Sequence, residues 1–277
     1  MGLGYEQLKI INPSLIYCSL SAYGQHGPKK DNPGYDAIIQ AETGLMSITG
    51  NDELARIPVS IVDQGSAMWG AIGVVTALYD RMRTNEGCKV STSLYETGIF
   101  WSNYHLLSTK LTGQNPQKLG SDHGAFSPYG AFKTVDSAVM IGVSNNSLFE
   151  RLCKALQQEQ WITDDRFISN NVRVKNRSVL NEHIETITIH MTSDELIKKL
   201  EIAGIPASKV KTMKDVLDDP QLYANNCIVK VPHERDGDIF VTRIPINISN
   251  CDLTPTVDAP MYGEHTNVIL NRMDKSK

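Results

Sequence analysis

The sequence is poor in the features that announce many common functions. Its five cysteines, Cys18, Cys88, Cys153, Cys227 and Cys251, are odd in number and contain no CxxC pair. They read as scattered reduced thiols, neither a zinc cage nor a disulfide framework, and no metal site is expected. Basic charge is not in excess: 27 Lys and Arg face 31 Asp and Glu, for a net charge of −4. Nucleic acid is therefore excluded as a default partner, because phosphate binding needs a concentrated Lys/Arg face. The uncharged stretch from Gln64 to Tyr79 is dotted with Gly and Ser. It falls short of the ~18 to 20 apolar residues of a bilayer span, so no membrane partner is expected either. The opening Met1-Gly2-Leu3-Gly4 carries no basic n-region and no Arg-rich presequence, so no address is visible. No Walker A, GxGxxG, HExxH or GxSxG motif is spelled, and no internal repeat or low-complexity segment appears.

What remains is an ordinary globular composition. Hydrophobic residues make up 41%, charged residues 21% and aromatics 7% of 277 residues, outside the disordered range and sufficient for one or two domains. Tyr5 to Ile11 is the end of a helix stopped by Asn12-Pro13, and Leu15 to Leu20 is a strand. After the loop Gly24-Gln25-His26-Gly27-Pro28, a helix is expected from Tyr35 to Met46, closing near Gly50, and Val59 to Val62 reads as a short strand. Met68, Ile72, Val75, Tyr79 and Met82 then recur at helical spacing, with Ala71, Val74 and Leu78 on a second face. A helix apolar most of the way round is expected deep in a layered core. Cys88 to Leu94 is a further strand and Tyr95 to Ser108 a helix, the strand–helix alternation of a parallel sheet.

Leu111 to Ser121 reads as a crossing linker. Beyond Pro128-Tyr129 the pattern is that of a smaller α+β unit. A hairpin is expected from Phe132-Lys133-Thr134 and Val139 to Val143, with capping-box spellings at Ser147-Leu148-Phe149-Glu150 and Thr192-Ser193-Asp194-Glu195. Strands near Ile228 to Val231 and Ile239 to Ile246, a Pro-rich stretch and a short helix close the chain.

Three places could carry chemistry. Asp63 stands at the expected strand-to-helix junction, where a carboxylate serves as a nucleophile or base but more often as a plain N-cap. Tyr35 and Asp36 follow Pro33-Gly34 at another helix start, where a phenol and a carboxylate could converge on a site or merely cap. His123 lies in the Gly-flanked loop Gly120-Ser121-Asp122-His123-Gly124, which could hinge over a pocket, although a lone loop His is more often solvated. The residues by themselves leave these alternatives open.

Read together, the segments resemble the class III CoA-transferase family, which includes formyl-CoA, carnitine and succinyl-CoA:dicarboxylate CoA-transferases and the 2-methylacyl-CoA racemases. Asn12-Pro13-Ser14-Leu15-Ile16-Tyr17 through Tyr23-Gly24-Gln25-His26-Gly27-Pro28 is similar to the family's NPxLIYxSxxxYGQxGP. Pro33-Gly34-Tyr35-Asp36, Gln40-Ala41 and Gly44-Leu45-Met46 are similar to its PGYDxxxQAxxGLM. The likeness continues through Asp63, His123 with Pro128-Tyr129, Arg173-Val174 with Asn176-Arg177, and Ala203-Gly204-Ile205-Pro206. Asp219-Pro220-Gln221 and Gly263-Glu264-His265-Thr266 extend it towards the end.

The resemblance implies an α/β fold: a Rossmann-like parallel-sheet large domain plus a smaller α+β domain, in interlocked dimers. It implies a remainder of the large domain at residues 1–115, the small domain with linkers at 116–225 and a returning segment at 226–277. It matches the family from mid-domain onwards, so the large domain is expected to be N-terminally incomplete, and the isolated chain to bind CoA weakly and be aggregation-prone. Micromolar CoA affinity by calorimetry would contradict that.

By the resemblance Asp63 is the catalytic carboxylate. It attacks a donor thioester to give an aspartyl-acyl anhydride, then an aspartyl-CoA thioester that a carboxylic, expectedly dicarboxylic, acceptor resolves. Coenzyme A is substrate rather than cofactor, and no cofactor or metal is implied. Backbone N–H groups at the helix start are expected to steady the developing oxyanions. Tyr35, Asp36 and Gln40 match substrate-binding positions, and Gly120 and His123 lie where a covering loop is sought. Partners would be an acyl-CoA, a small carboxylic acid and a second copy of the chain. Racemases of the family carry His where this chain has Tyr35, and a phenol with a pKa near ~10 is a poor base at neutral pH, so transfer is favoured over racemisation. A non-catalytic remnant that complements a longer paralogue is the remaining alternative. Bacterial cytoplasm or a mitochondrial matrix suits reduced thiols and CoA chemistry.

Overall fold

The computed structural model describes residues 2–233, 235, 237–255 and 260–274, with side chains through residue 272. The chain divides into two compact units, Met1–Lys209 and Val210–Lys277. The first begins with α1 (Tyr5–Ile11), β1 (Tyr17–Ser21), α2 (Asp36–Glu42), α3 (Leu45–Ile48), α4 (Ile61–Thr84), β2 (Lys89–Ser93), α5 (Leu94–Trp101) and α6 (Asn103–Thr112). β1 and β2 pair in parallel, Tyr17 opposite Lys89 through Ser21 opposite Ser93. A parallel pair needs a crossover, and here α2 to α4 supply it.

Helix α4 packs on both strands, yet through a face that the apolar periodicity did not indicate. Gly70 lies where a Cβ would come within 3.3 Å of Leu20 Cδ1, and at Gly73 a Cβ would meet Val90 Cγ1 at 2.6 Å. On the α5 side, a Cβ at Gly65 would meet Thr97 at 2.8 Å and the Trp101 indole at 2.9 Å. Small residues thus let the helix backbone approach the sheet, with Val62, Ser66 and Ala77 also buried. Met68, Ile72, Val75, Tyr79 and Met82 are exposed, Met82 to 86%. The expectation that this stripe lies deep in a core is corrected: large side chains cannot occupy a contact where Cβ atoms already collide. At 24 residues α4 is also long and apolar enough to cross a membrane by length and composition alone, although one side is packed on protein.

Other local differences have equally plain causes. Val59 to Val62 form no strand, because α4 already begins at Ile61 and the Ile61 N–H turns back onto Val59 O at 2.8 Å. The helix expected over Tyr35 to Met46 is broken by Gly44, whose φ of 79° is left-handed. Ser102 divides the helix expected over Tyr95 to Ser108 into α5 and α6.

The rest of this unit comprises β3 (Tyr129–Lys133), β4 (Ala138–Gly142), α7 (Asn146–Ala155), a short 3-10 turn (Glu159–Ile162), α8 (Asn170–Lys175), α9 (Arg177–Thr188), α10 (Ser193–Ile202) and β5 (Ala207–Lys209). The expected hairpin is β3–β4, and β5 adds antiparallel to β4. Phe132, Ile141, Leu152, Phe167, Leu180 and Leu196 join one continuous buried cluster. Thr192 and Glu195 form the reciprocal cap expected for α10, whereas α7 starts two residues earlier than its spelling, with Asn145 Oδ1 accepting from Leu148 N at 2.9 Å. The second unit holds α11 (Met213–Leu217), α12 (Pro220–Ala224), an antiparallel pair β6 (Ile228–His233) and β7 (Gly237–Thr242), and α13 (Thr266–Asp274). The expected Pro-rich stretch falls partly on residues 256–259, outside the described residues. No disulfide joins the five cysteines.

Arg173 anchors the hairpin region from inside. It is 0% exposed, with Nε donating to Ser127 O at 2.8 Å, Nη1 to Phe167 O at 2.9 Å and Nη2 to Asn146 Oδ1 at 2.9 Å. The guanidinium sits 4.2 Å from the Phe149 ring centroid. Truncation would strand two buried carbonyls and the part-buried Asn146 amide oxygen at once. Arg173→Met is therefore expected to lower stability by about 3 kcal/mol or more, measured by urea unfolding. Arg173→Lys should not restore it, since one ammonium cannot reproduce a planar fork. An unchanged midpoint for either variant would contradict this role.

Candidate active site

Asp63 occupies the first turn of α4, three residues after the N-cap Ser60. The plain N-cap reading of Asp63 therefore fails, and Ser60 itself makes no side-chain cap. The cap comes from another helix. Asp36 Oδ2 accepts from Val62 N at 2.9 Å and, more weakly, from Asp63 N at 3.4 Å. A carboxylate at a helix N-terminus satisfies orphan N–H groups and complements the macrodipole.

Asp36 is itself held. It is 7% exposed at the start of α2, and Gln40, one turn later and 0% exposed, donates from Nε2 to Asp36 Oδ1 at 2.6 Å. The same amide clamps the backbone before α4, with Gln40 Oε1 accepting from Ile57 N at 2.9 Å and Nε2 donating to Ile57 O at 3.1 Å. The approach to α2 is tight, since a Cβ at Gly34 would sit 2.8 Å from Ala22 Cβ. Tyr35 is the N-cap residue of α2, in extended conformation, with its side chain 81% exposed.

The Asp63 side chain is exposed and, among the described residues, makes no hydrogen bond or ion pair. Partial desolvation at the helix start, with the Asp36 charge behind it, raises its pKa above the ordinary carboxylate value. The expectation that N–H groups at this helix start are available to an oxyanion needs correction. Val62 and Asp63 N–H are engaged by Asp36, Ile61 N–H by Val59 O, and Gln64 N–H by Ser60 O at 3.0 Å. The first-turn donors are already taken.

Gly120 and His123 form a second group. Gly120 has φ of 59°, its N–H donates to Gly50 O at 3.0 Å, and a Cβ there would collide with the Asn51 amide. His123 Nδ1 accepts from Ala125 N at 3.1 Å, which leaves the proton on Nε2, and the ring stacks on Phe126 at 5.0 Å. Arg177 Nη2 holds the loop by donating to His123 O at 2.6 Å. A cavity of about 520 Å3 is lined by His105, Leu119, His123, Gly124, Val174 and Arg177. Among the described residues no hydrogen bond or ring contact joins His123 or Gly120 to Asp63. The structure brings Asp36, Gln40 and the Asp63 backbone together, and keeps the loop group as a separate cluster.

The sequence profile of CoA-transferase family III matches residues 1–266. The chain belongs to CoA-transferase family III. Succinyl-CoA:glutarate CoA-transferase of Homo sapiens is 31% identical over 276 residues, covering 99% of this chain and 63% of that protein. The chain thus spans under two thirds of the length of this relative. Succinate–glutarate CoA-transferase of Agrobacterium fabrum is 30% identical over 275 residues, covering 99% of this chain and 69% of that protein. Among solved structures, a CAIB/BAIF family protein from Brucella suis superposes with a TM-score of 0.83 at 31% identity, over 98% of this chain and 71% of the other. A Mycobacterium tuberculosis protein in an orthorhombic crystal form gives 0.85 at 28% identity, over 96% and 72% respectively. The mixed α/β architecture, with one parallel and two antiparallel sheets among the described residues, is thus that of CAIB/BAIF family proteins.

Two residues that the sequence did not single out shape this part of the family III chain. Ile57 serves through its backbone, which no side-chain pattern can announce. Arg177 was visible only as part of a motif. The elevated pKa of Asp63 carries a stability consequence. A carboxyl whose folded pKa lies above its unfolded value binds more protons when folded, so stability falls as pH rises from the ordinary carboxylate value through the raised one. Asp63→Asn is expected to be as stable as wild type near pH 3 and more stable at pH 7. The gain should stay below about 1 kcal/mol, because solvent screens the exposed group. Thermal melts at the two pH values check it, and a variant less stable at pH 7 would contradict it.

Proposed function

We propose that the chain carries the catalytic part of a CoA-transferase that moves CoA from an acyl-CoA donor to a carboxylic acid, of dicarboxylate class. The observation that carries the reading is Asp63 itself: an exposed, unpartnered carboxylate at a helix start, with elevated basicity, in a family III chain. The relatives' names support the acceptor class, being succinyl-CoA:glutarate, acetyl-CoA:oxalate and succinyl-CoA–D-citramalate CoA-transferases.

In this reading the Asp63 carboxylate adds to the donor thioester carbonyl and expels CoA thiolate, leaving an aspartyl-acyl anhydride. The thiolate attacks the Asp63 carbonyl and releases the donor acid, giving an aspartyl-CoA thioester. The acceptor carboxylate then displaces the thiolate to form a second anhydride. Attack of the thiolate on the acceptor acyl carbon yields the new CoA ester and regenerates Asp63. Each step exchanges carboxyl-level species, so covalent catalysis needs neither ATP nor a metal. A carboxylate made more basic by its surroundings is the better nucleophile for the first step.

Tyr35, whose phenol stands free beside Asp36, orients substrate by hydrogen bonding, and the Gly120 to Gly124 loop, with His123, covers the site during the covalent steps. The parallel β1–β2 pair with its helical crossover supports a Rossmann-like large domain. An interlocked homodimer belongs to the same proposal, supported by the exposed apolar face of α4.

Hydroxylamine intercepts activated carboxyl groups. Incubation with succinyl-CoA and hydroxylamine is expected to place a hydroxamate on the peptide containing Asp63, detected by mass spectrometry. Asp63→Ala should abolish both trapping and transfer. Wild-type transfer by Asp63→Ala would overturn the proposal.

A further inference from the structure

The relay behind Asp63 is more elaborate than a helix cap requires. A single Ser, Thr or Asn at position 60 could satisfy the first-turn N–H groups locally, yet Ser60 does not. Instead a nearly buried carboxylate reaches the same donors from 26 residues away. It is gripped by a fully buried amide that also binds both the N–H and the C=O of Ile57. Two segments, the stretch before α4 and the first turn of α4, are thereby tied to one helix face at Asp36 and Gln40. The four-residue spacing of the pair puts both side chains on the same side of α2.

We propose that Asp36 and Gln40 are positioning residues for Asp63: Gln40 fixes Asp36, and Asp36 fixes the start of α4 while holding a second negative charge behind the Asp63 carboxylate. This rests on Asp63 being the nucleophile. The arrangement has two separable effects. Geometrically, the clamp sets where the Asp63 Cα stands. Electrostatically, the anionic position at the helix N-terminus is already filled by Asp36, so the dipole stabilises that carboxylate rather than the reactive one. Asp63 then has less stabilisation of its charged form and more basicity, in accord with its elevated pKa, for which desolvation and then Asp36 are responsible.

Charged groups on the other packed elements are engaged elsewhere. Glu42 on α2 pairs with Lys29, Glu96 on α5 accepts from Ser93 Oγ at 2.6 Å, and Lys89 on β2 donates to Gln25 at 2.9 Å. Asp36 is the charge that acts on Asp63.

The test combines a carboxyl-carbon NMR titration of Asp63, assigned with Asp63→Asn, and hydroxylamine trapping with succinyl-CoA, on variants whose helix content matches wild type by circular dichroism. Asp36→Asn keeps an acceptor for Val62 N–H but removes the charge. It is expected to lower the Asp63 midpoint, and Asp36→Glu should restore it in part. Gln40→Met keeps the charge and releases the clamp. It is expected to leave the midpoint in place and to cut the trapping rate on the order of tenfold.

Identical midpoints in wild type and Asp36→Asn, or wild-type trapping by Gln40→Met, would overturn the proposal. If Asp36→Asn does not fold, Asp36→Ser, which also offers an acceptor without the charge, decides: a midpoint below that of wild type supports the coupling, and an unchanged one overturns it. If wild type traps no hydroxamate, the transferase reading fails while the titration still judges the Asp36–Asp63 coupling.

Discussion

The structure around the candidate site depends on one through-space interaction, the Asp36 carboxylate accepting from the first-turn N–H groups of α4. It joins α2, the segment at Ile57 and the start of α4 into one rigid corner, because Gln40 closes the remaining hydrogen bonds. Buried amides and carboxylates are stable only when such a network is complete. Completeness here has a second consequence: the donors that usually greet an anion at a helix N-terminus are already in use. Asp63 projects from that corner as an exposed carboxylate with a like charge behind it.

Packing of α4 explains how the corner is held against the sheet. Gly65 and Gly73 bring the helix backbone close to α5 and β2, where a Cβ would collide, and Gly70 faces β1 with only 3.3 Å left for a Cβ. The larger apolar residues are left on the opposite side, exposed among the described residues. Close approach and an unburied apolar face are therefore two results of one sequence pattern. Farther along the chain, Arg173 performs a similar organising task without a carboxylate partner, using three oxygen acceptors and an aromatic ring.

Much of this was legible in the sequence because it is local. The β1 and β2 strands, the β3–β4 hairpin and the Thr192 capping box follow from short-range patterns of side chains. The family was legible from the order of many short motifs, none sufficient singly. The place of Asp63 at a helix start was legible, but not its neighbours' use of Asp36, which spans 26 residues of sequence. The buried face of α4 was misread because glycine contributes nothing to a hydrophobic period, although it marks the closest contact. Val59 to Val62 has the composition of a strand, yet the helix start captured it through an acceptor on another element.

The central claim is that Asp63 exchanges its own oxygen with substrate carboxylates. Turnover with succinyl-CoA and an acceptor dicarboxylate labelled with heavy oxygen addresses it directly. The bridging oxygen of the second anhydride stays with the aspartate when thiolate attacks the acceptor carbon. Label is expected on the Asp63 side chain in the digested protein after a single turnover. Formation of the new CoA ester without label at Asp63, or no CoA ester at all, would contradict it.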